Sequence, residues 1–214
     1  MILIGILLYV GIIFLIYHYV LKGVENRTVD NKTYLISLFL KSLLCTICIM
    51  IPELLFDRFI IGEPKNLLQT VLKDFFRAAL IEETVKMLFV SRIDKDKFSK
   101  KEYILLAGTI GAGYGLYEKL ALGNGFAVIL NSIVCLHLFF QMIMAYYLYE
   151  KKGVKAFAIP FVIHGLWDSI LDVAYYLMEQ KSPLDSVGLV MIIVAVVLGV
   201  IFEIKAVKKI KNLA

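Results

Sequence analysis

Long apolar runs separated by short basic stretches set the pattern of this chain. Seven can be drawn, at 2–21, 33–51, 67–91, 103–122, 125–149, 156–178 and 186–205. A helix needs ~20 apolar residues to cross the hydrocarbon of a bilayer, and these runs are of that order. They are continuous, whereas the strands of a membrane barrel alternate over ~10 residues. Only helices and closed barrels satisfy their backbone in lipid. The pattern therefore predicts an all-α, polytopic transmembrane helix bundle of about seven spans. It forms one integral membrane domain over 1–214, with no internal repeat, no low-complexity tract and no inverted symmetry of the transporter kind. The first run lacks a basic leader and a small-residue cleavage site, so it reads as a retained span. Gly123-Asn124-Gly125 predicts a tight turn between the fourth and fifth runs.

Composition agrees: 60% of the residues are hydrophobic and the mean hydropathy is +0.82. The formal charge of +5 does not point to nucleic acid, because the bases cluster between the apolar runs. Lys22, Arg27 and Lys32 follow the first run, and Arg92, Lys95, Lys97, Lys100 and Lys101 follow the third. Lys151, Lys152 and Lys155 follow the fifth, and Lys205, Lys208, Lys209 and Lys211 close the chain. With alternating spans these all fall on one side, the cytoplasm by the positive-inside rule. The opposite loops hold few bases: Arg58 and Lys65, Lys119, and Lys181. The N-terminus is expected outside and the C-terminus inside. Cys45, Cys48 and Cys135 lie in apolar runs. Without a second pair, the C-x-x-C spacing of the first two reads as apolar packing rather than redox or zinc chemistry. His18 is assigned to packing or the interface.

The run at 67–91 is the odd one. Its first part, 67–77, contains Gln69, Lys73, Asp74 and Arg77. That part is expected to lie at the outer interface or against a wet cavity, with 78–90 entering the bilayer. Ala78 and Ala79 allow close helix approach. Inside the apolar part stand Glu82, Glu83 and Lys86. A charge at the bilayer centre costs at least ~2.5–3.5 kcal/mol, so such residues pair, face a wet cavity, or do chemistry. Glu82 and Lys86 share a helix face, with Glu83 close to it. Adjacent residues diverge by ~100°, so the two glutamates are not expected to point at one spot. One faces a reaction centre; the other braces it or pairs with Lys86.

Other polar constellations interrupt the later runs. Gly111, Gly113 and Gly115 alternate in the fourth. Each costs ~1 kcal/mol against Ala in a helix interior, so they imply close backbone approach or a break. They are no dinucleotide fingerprint, since no βαβ unit surrounds them. Glu118 follows near the outer end of the run. His137 lies near the middle of the fifth run, with Gln141 one turn on. In the sixth, His164, Asp168 and Asp172 form one straight polar stripe. Pro160 before it is expected to kink the helix. A carboxylate one turn from a histidine orients it. Two glutamates, two histidines and an aspartate on different spans form a set able to activate water and polarise a carbonyl. That chemistry is amide hydrolysis inside a membrane.

In chain order, Glu82-Glu83-x-x-Lys86, Gly111-x-Gly113-x-Gly115-x-x-Glu118, His137 and His164-x-x-Trp167-Asp168 resemble the PrsW family of bacterial intramembrane proteases. The similarity runs from about 67 to 172. The wider relatives, CAAX prenyl endopeptidases and bacteriocin-processing or immunity proteins, show E-E-x-x-x-R and H-x-x-x-[ND]. Here the base, Lys86, stands one position earlier, as suits PrsW. Tyr114-Gly115 stand where that family has Phe-Ala, and Lys119 where it has Asn. The resemblance implies a catalytic core at about 67–178 in a multi-pass protein of the bacterial cell membrane. It implies catalytic roles for Glu82, Glu83, His137 and His164, with Lys86, Glu118, Trp167, Asp168 and Asp172 in support. It also implies a membrane-anchored protein substrate, by analogy the site-1 cleavage of an anti-sigma factor.

Within that expectation Glu82 is preferred over Glu83 as the base, and Asp168 orients His164 or stabilises the oxyanion. No H-E-x-x-H helix is present, and the candidate ligands come from separate spans without a preformed pair. Weak or no stoichiometric zinc is therefore expected; if zinc is bound, its ligands are Glu83, His137 and His164. The rival readings are a non-catalytic immunity or binding protein of the same fold, a CAAX-type prenyl-peptide endopeptidase, and ion transport along the polar stripe. Polar residues run from mid-membrane outward, which predicts a hydrated cavity open to the extracytoplasmic side.

Overall fold

A computed structural model of the chain describes residues 2–21, 32–61, 66–121, 132–179 and 185–213. The described residues form helices and short turns, with no strand among them. In order they are α1 (Ile2–Leu21), α2 (Lys32–Phe56) continued by a π turn over Asp57–Ile61, α3 (Leu67–Lys73), a π turn over Asp74–Ala79, and α4 (Leu80–Ser91). Then follow α5 (Lys100–Ala121), α6 (Leu136–Tyr149), α7 (Gly153–Glu179) and α8 (Asp185–Lys211). The all-helical expectation holds. Four stretches are long and apolar enough to cross a membrane: Leu3–Val20, Ile36–Phe59, Gly153–Met178 and Asp185–Lys211. Leu3, Phe14, Ile193 and Leu198 on these helices point outward, more than half exposed. Lipid tails, not water, suit such a surface.

The core lies between α5 and α6. Ile104, Leu105, Leu106, Leu138 and Phe139 are wholly buried there, and α1, α4 and α8 close around them. The three alternating glycines do not break α5. A Cβ at Gly111 would collide with the backbone carbonyl of His137, one at Gly113 with Ser42 Oγ, and one at Gly115 with the Tyr9 hydroxyl. Three neighbours, α6, α2 and α1, therefore touch one helix within a turn and a half. Tyr9 Oη donates to the Ala112 carbonyl at 3.1 Å, and the Lys119 ammonium lies 4.1 Å above the Tyr9 ring. Close approach offsets the helix cost of glycine.

The fifth run is divided rather than continuous. Helix α6 begins only at Leu136, after a non-helical Val134–Cys135. His137 thus stands in a first helical turn. No glycine or proline marks the break. It lets Val134 pack on Gly199 beside Trp167, a tertiary contact that hydropathy does not register. The expected turn at Gly123-Asn124-Gly125 lies outside the described residues, as do the basic stretch at 22–31, Lys65 and Lys181. Helix α7 runs through Pro160 as one element. The run at 67–91 is helical but not uniformly so: the π turn rewinds it just before the glutamates, and such turns recur at functional sites. Phe75 of that turn lies against Gly165 of α7, where a Cβ would meet its ring, and edge-on to Phe161 at 5.7 Å. At the α6–α7 turn, Lys100 pairs with Glu150 and holds its carboxyl below the usual carboxylate range.

Gly111→Ala is expected to destabilise the protein by about 2 kcal/mol, because its methyl meets fixed backbone rather than a movable side chain. Gly11→Ala, which meets nothing within 4 Å, serves as control. Unfolding in detergent measures both, and equal stability of the two variants would refute the packing role.

Candidate active site

The polar residues of four helices converge below the glycine stretch of α5. Lys86 Nζ donates to Glu82 Oε2 at 2.6 Å, to Glu83 Oε1 at 3.1 Å and to His137 Nδ1 at 3.1 Å. It is completely buried. The two glutamates do converge, contrary to the expectation drawn from helical angles. Backbone directions ~100° apart do not fix where long, three-torsion side chains end, and one ammonium gathers both. His164 Nδ1 lies in hydrogen-bond contact with Glu83 Oε1 at 2.9 Å, and its Nε2 lies 3.9 Å from Glu82 Oε2. One ligand atom from each of Glu82, Glu83, His137 and His164 falls within a group 4.8 Å across.

Each imidazole is held from behind by a carboxylate. His137 Nε2 donates to Glu118 Oε2 at 2.8 Å. Because Lys86 donates to its Nδ1, the ring proton belongs on Nε2, facing Glu118. His164 Nε2 lies 3.2 Å from Asp168 Oδ2, one turn along α7. The two rings stand edge to face at 5.1 Å. Outer carboxylates of this kind fix the orientation and raise the basicity of metal-ligating histidines. Glu83 Oε2 is buried without a hydrogen-bond partner. Two imidazoles, a carboxylate with an unused oxygen and a second carboxylate are the donor set of hydrolytic zinc sites. The residue types therefore fit a divalent metal, which would take the places on His137 Nδ1 and Glu83 that the Lys86 ammonium fills here. The candidate ligands come from separate helices, as expected, and helix packing brings them into one group.

Two cavities reach this group. The larger, about 720 Å³, is lined by Glu82, Glu118 and Asp168 at the site and by apolar residues of α2 such as Ile47 and Met50. It continues past Asp172, Asp74, Arg77 and Glu53. The smaller, about 30 Å³, is lined by His137, His164, Glu118, Lys119 and Trp167, and is of the size that holds a water molecule. Trp167 is thus a wall of this chamber, and Asp172 lies one turn beyond Asp168 along α7, in the larger cavity. Gln141 is fully buried against Gly111 and takes no part.

Tyr114 is the residue that sequence reasoning missed. Its ring lies 4.1 Å beneath the Lys86 ammonium and edge-on to His137 at 4.9 Å, and it lines the large cavity. An aromatic ring set between two glycines of a polar span was the available signal. Glu53 was missed as well; it ends an apolar run and pairs with Arg77 at 3.8 Å.

A sequence profile described as PrsW family intramembrane metalloprotease matches residues 30–201. The protease PrsW of Oceanobacillus iheyensis is 27% identical over 159 residues, covering 66% of this chain and 74% of that protein. No solved structure matches the chain.

Lys86→Met removes the shared cation and leaves two buried carboxylates facing each other. Breaking a buried ion pair from one side costs about 3–5 kcal/mol. A loss of that size is expected in detergent unfolding, and a variant as stable as the parent would show that Lys86 is not what holds the glutamates.

Proposed function

The chain belongs to the PrsW family of intramembrane metalloproteases, and on that premise we propose that it hydrolyses a peptide bond of a membrane-anchored protein at the Glu82–Glu83–His137–His164 group. The observation that carries this reading is the convergence of those four side chains, from three helices, within 4.8 Å at the end of a large cavity. An anti-sigma factor is the substrate type that the family resemblance suggests.

Glu82 is the general base. It lines the cavity, whereas Glu83 is sealed from it and is engaged by Lys86 and His164. Glu82 takes a proton from the water that adds to the scissile carbonyl and returns it to the departing amine nitrogen. Lys86 holds Glu82 aimed. Glu118 and Asp168 fix the two imidazoles so that each turns Nδ1 to the centre. Glu83, His137 and His164 are the residues that would hold a metal, which supplies Lewis acidity and lowers the pKa of water when bound. The apolar wall from α2 keeps bulk water from the bond being cut and so strengthens each of these interactions.

The mouth of the cavity we assign to the extracytoplasmic face. Asp74, Arg77, Glu118 and Asp172, which line it, are the residues that the charge distribution puts on that side. An unpaired charge in hydrocarbon is costly, so water follows them.

Glu82→Gln and Glu83→Gln are each expected to lower proteolysis at least ~100-fold while the protein still accumulates in membranes. The assay is the set of membrane proteins that lengthen when the enzyme is deleted. Full activity in both variants would end the protease assignment. His164→Ala should also lose the metal, about one equivalent of zinc in the parent by elemental analysis. In a cysteine-free background, Leu120→Cys and Tyr175→Cys should react with an impermeant thiol reagent outside intact cells. Labelling only from the cytoplasmic face would reverse the orientation.

A further inference from the structure

The far end of the large cavity holds a second polar group that hydrolysis does not use. Asp74, in the π turn before α4, is buried, and its Oδ2 has no hydrogen-bond donor among the described residues. It lines the cavity with Asp172 of α7. The two carboxylates act on each other directly, and Asp168 acts on both. Ser169 is buried beside them, with its hydroxyl turned to Asp74.

The nearby cations are engaged elsewhere. Lys73 pairs with Asp57 at 3.4 Å, and Arg77 pairs with Asp57 at 3.0 Å and with Glu53 at 3.8 Å. Among the described residues lining the cavity, Glu53, Asp74, Glu82, Glu118, Asp168 and Asp172 face a single cation, Arg77. A buried carboxylate oxygen without a donor is costly, and a fold keeps it where something else supplies the donor.

We propose that Asp74 and Asp172 form a substrate subsite for a basic side chain, lysine or arginine, of the segment being cut. This rests on the protease reading and adds a substrate class to it. Position supports it. Asp74 precedes Glu82 by eight residues, and Asp172 follows His164 by eight. At ~1.5 Å per helical residue the pair lies on the order of 12 Å from the scissile bond. An extended substrate rises ~3.3 Å per residue, so the basic residue stands about four residues from the cut. The cavity joins both places without a partition, and its apolar α2 wall accepts the residues between. A lysine stem suits such a path, since its methylenes pack on apolar surface while the ammonium reaches the carboxylates.

The test uses the full-length protein in nanodiscs and fluorescent single-pass peptides of one apolar sequence. One lysine is walked along the peptide, with norleucine at the same positions as reference. Binding is read by anisotropy with Glu83→Gln, and cleavage with the parent. At one register, the lysine peptide is expected to bind about tenfold tighter than its norleucine partner. Asp74→Asn and Asp172→Asn should each abolish that preference while the norleucine peptides bind as before, which also reports that the variants are folded. Equal binding of lysine and norleucine peptides at every register overturns the subsite. So does a preference that survives both substitutions, or one that vanishes only on adding a divalent cation chelator, which would mark a metal site instead. Cleavage that persists in Glu83→Gln, with the lysine preference intact, would fail the protease mechanism and leave the subsite standing.

Discussion

One buried ammonium organises this protein. Lys86 sits at zero exposure in an apolar bundle and is tolerable there only because two carboxylates and an imidazole nitrogen satisfy all three of its N–H donors. Removing an ion from water costs several kcal/mol even after relaxation. The fold must therefore bring its partners to within about 3 Å from different helices. The local part comes from α4 itself, through the i,i+3 and i,i+4 spacing of the glutamates. The distant part, His137, has to be delivered by packing.

That delivery depends on α5. Its glycines remove the side chains that would hold α6 away, and the His137 backbone comes to rest on Gly111. The break before α6 then sets His137 in a first turn, with its ring free to reach Lys86 on one side and Glu118 on the other. The π turn before α4 and Gly165 opposite it let α3 and α4 lie against α7, so that His164 meets Glu83. The result is a polar centre closed on the core side by Phe140 and open on the other to the large cavity, which Tyr114 lines. Chemistry needs this asymmetry: a dry wall to strengthen charge–charge interaction, and one route for substrate and water.

Much of this was legible in the sequence. The apolar runs specify an all-helical membrane protein because lipid allows almost nothing else, and the placing of Glu82, Glu83, His137, His164 and Asp168 within apolar runs marks them because charge in hydrocarbon is rarely idle. The pairing of Glu82 with Lys86, and of Asp168 with His164, followed from helical spacing alone. What only the tertiary structure decided is the convergence itself. Single-helix geometry sends Glu82 and Glu83 in different directions, yet a shared ammonium and flexible side chains draw them together. The break at Val134–Cys135, the assembled donor set and the role of Tyr114 depend on contacts between residues far apart in the chain. Periodicity reports how one helix meets an average environment; it carries no information about which neighbour stands across from which face.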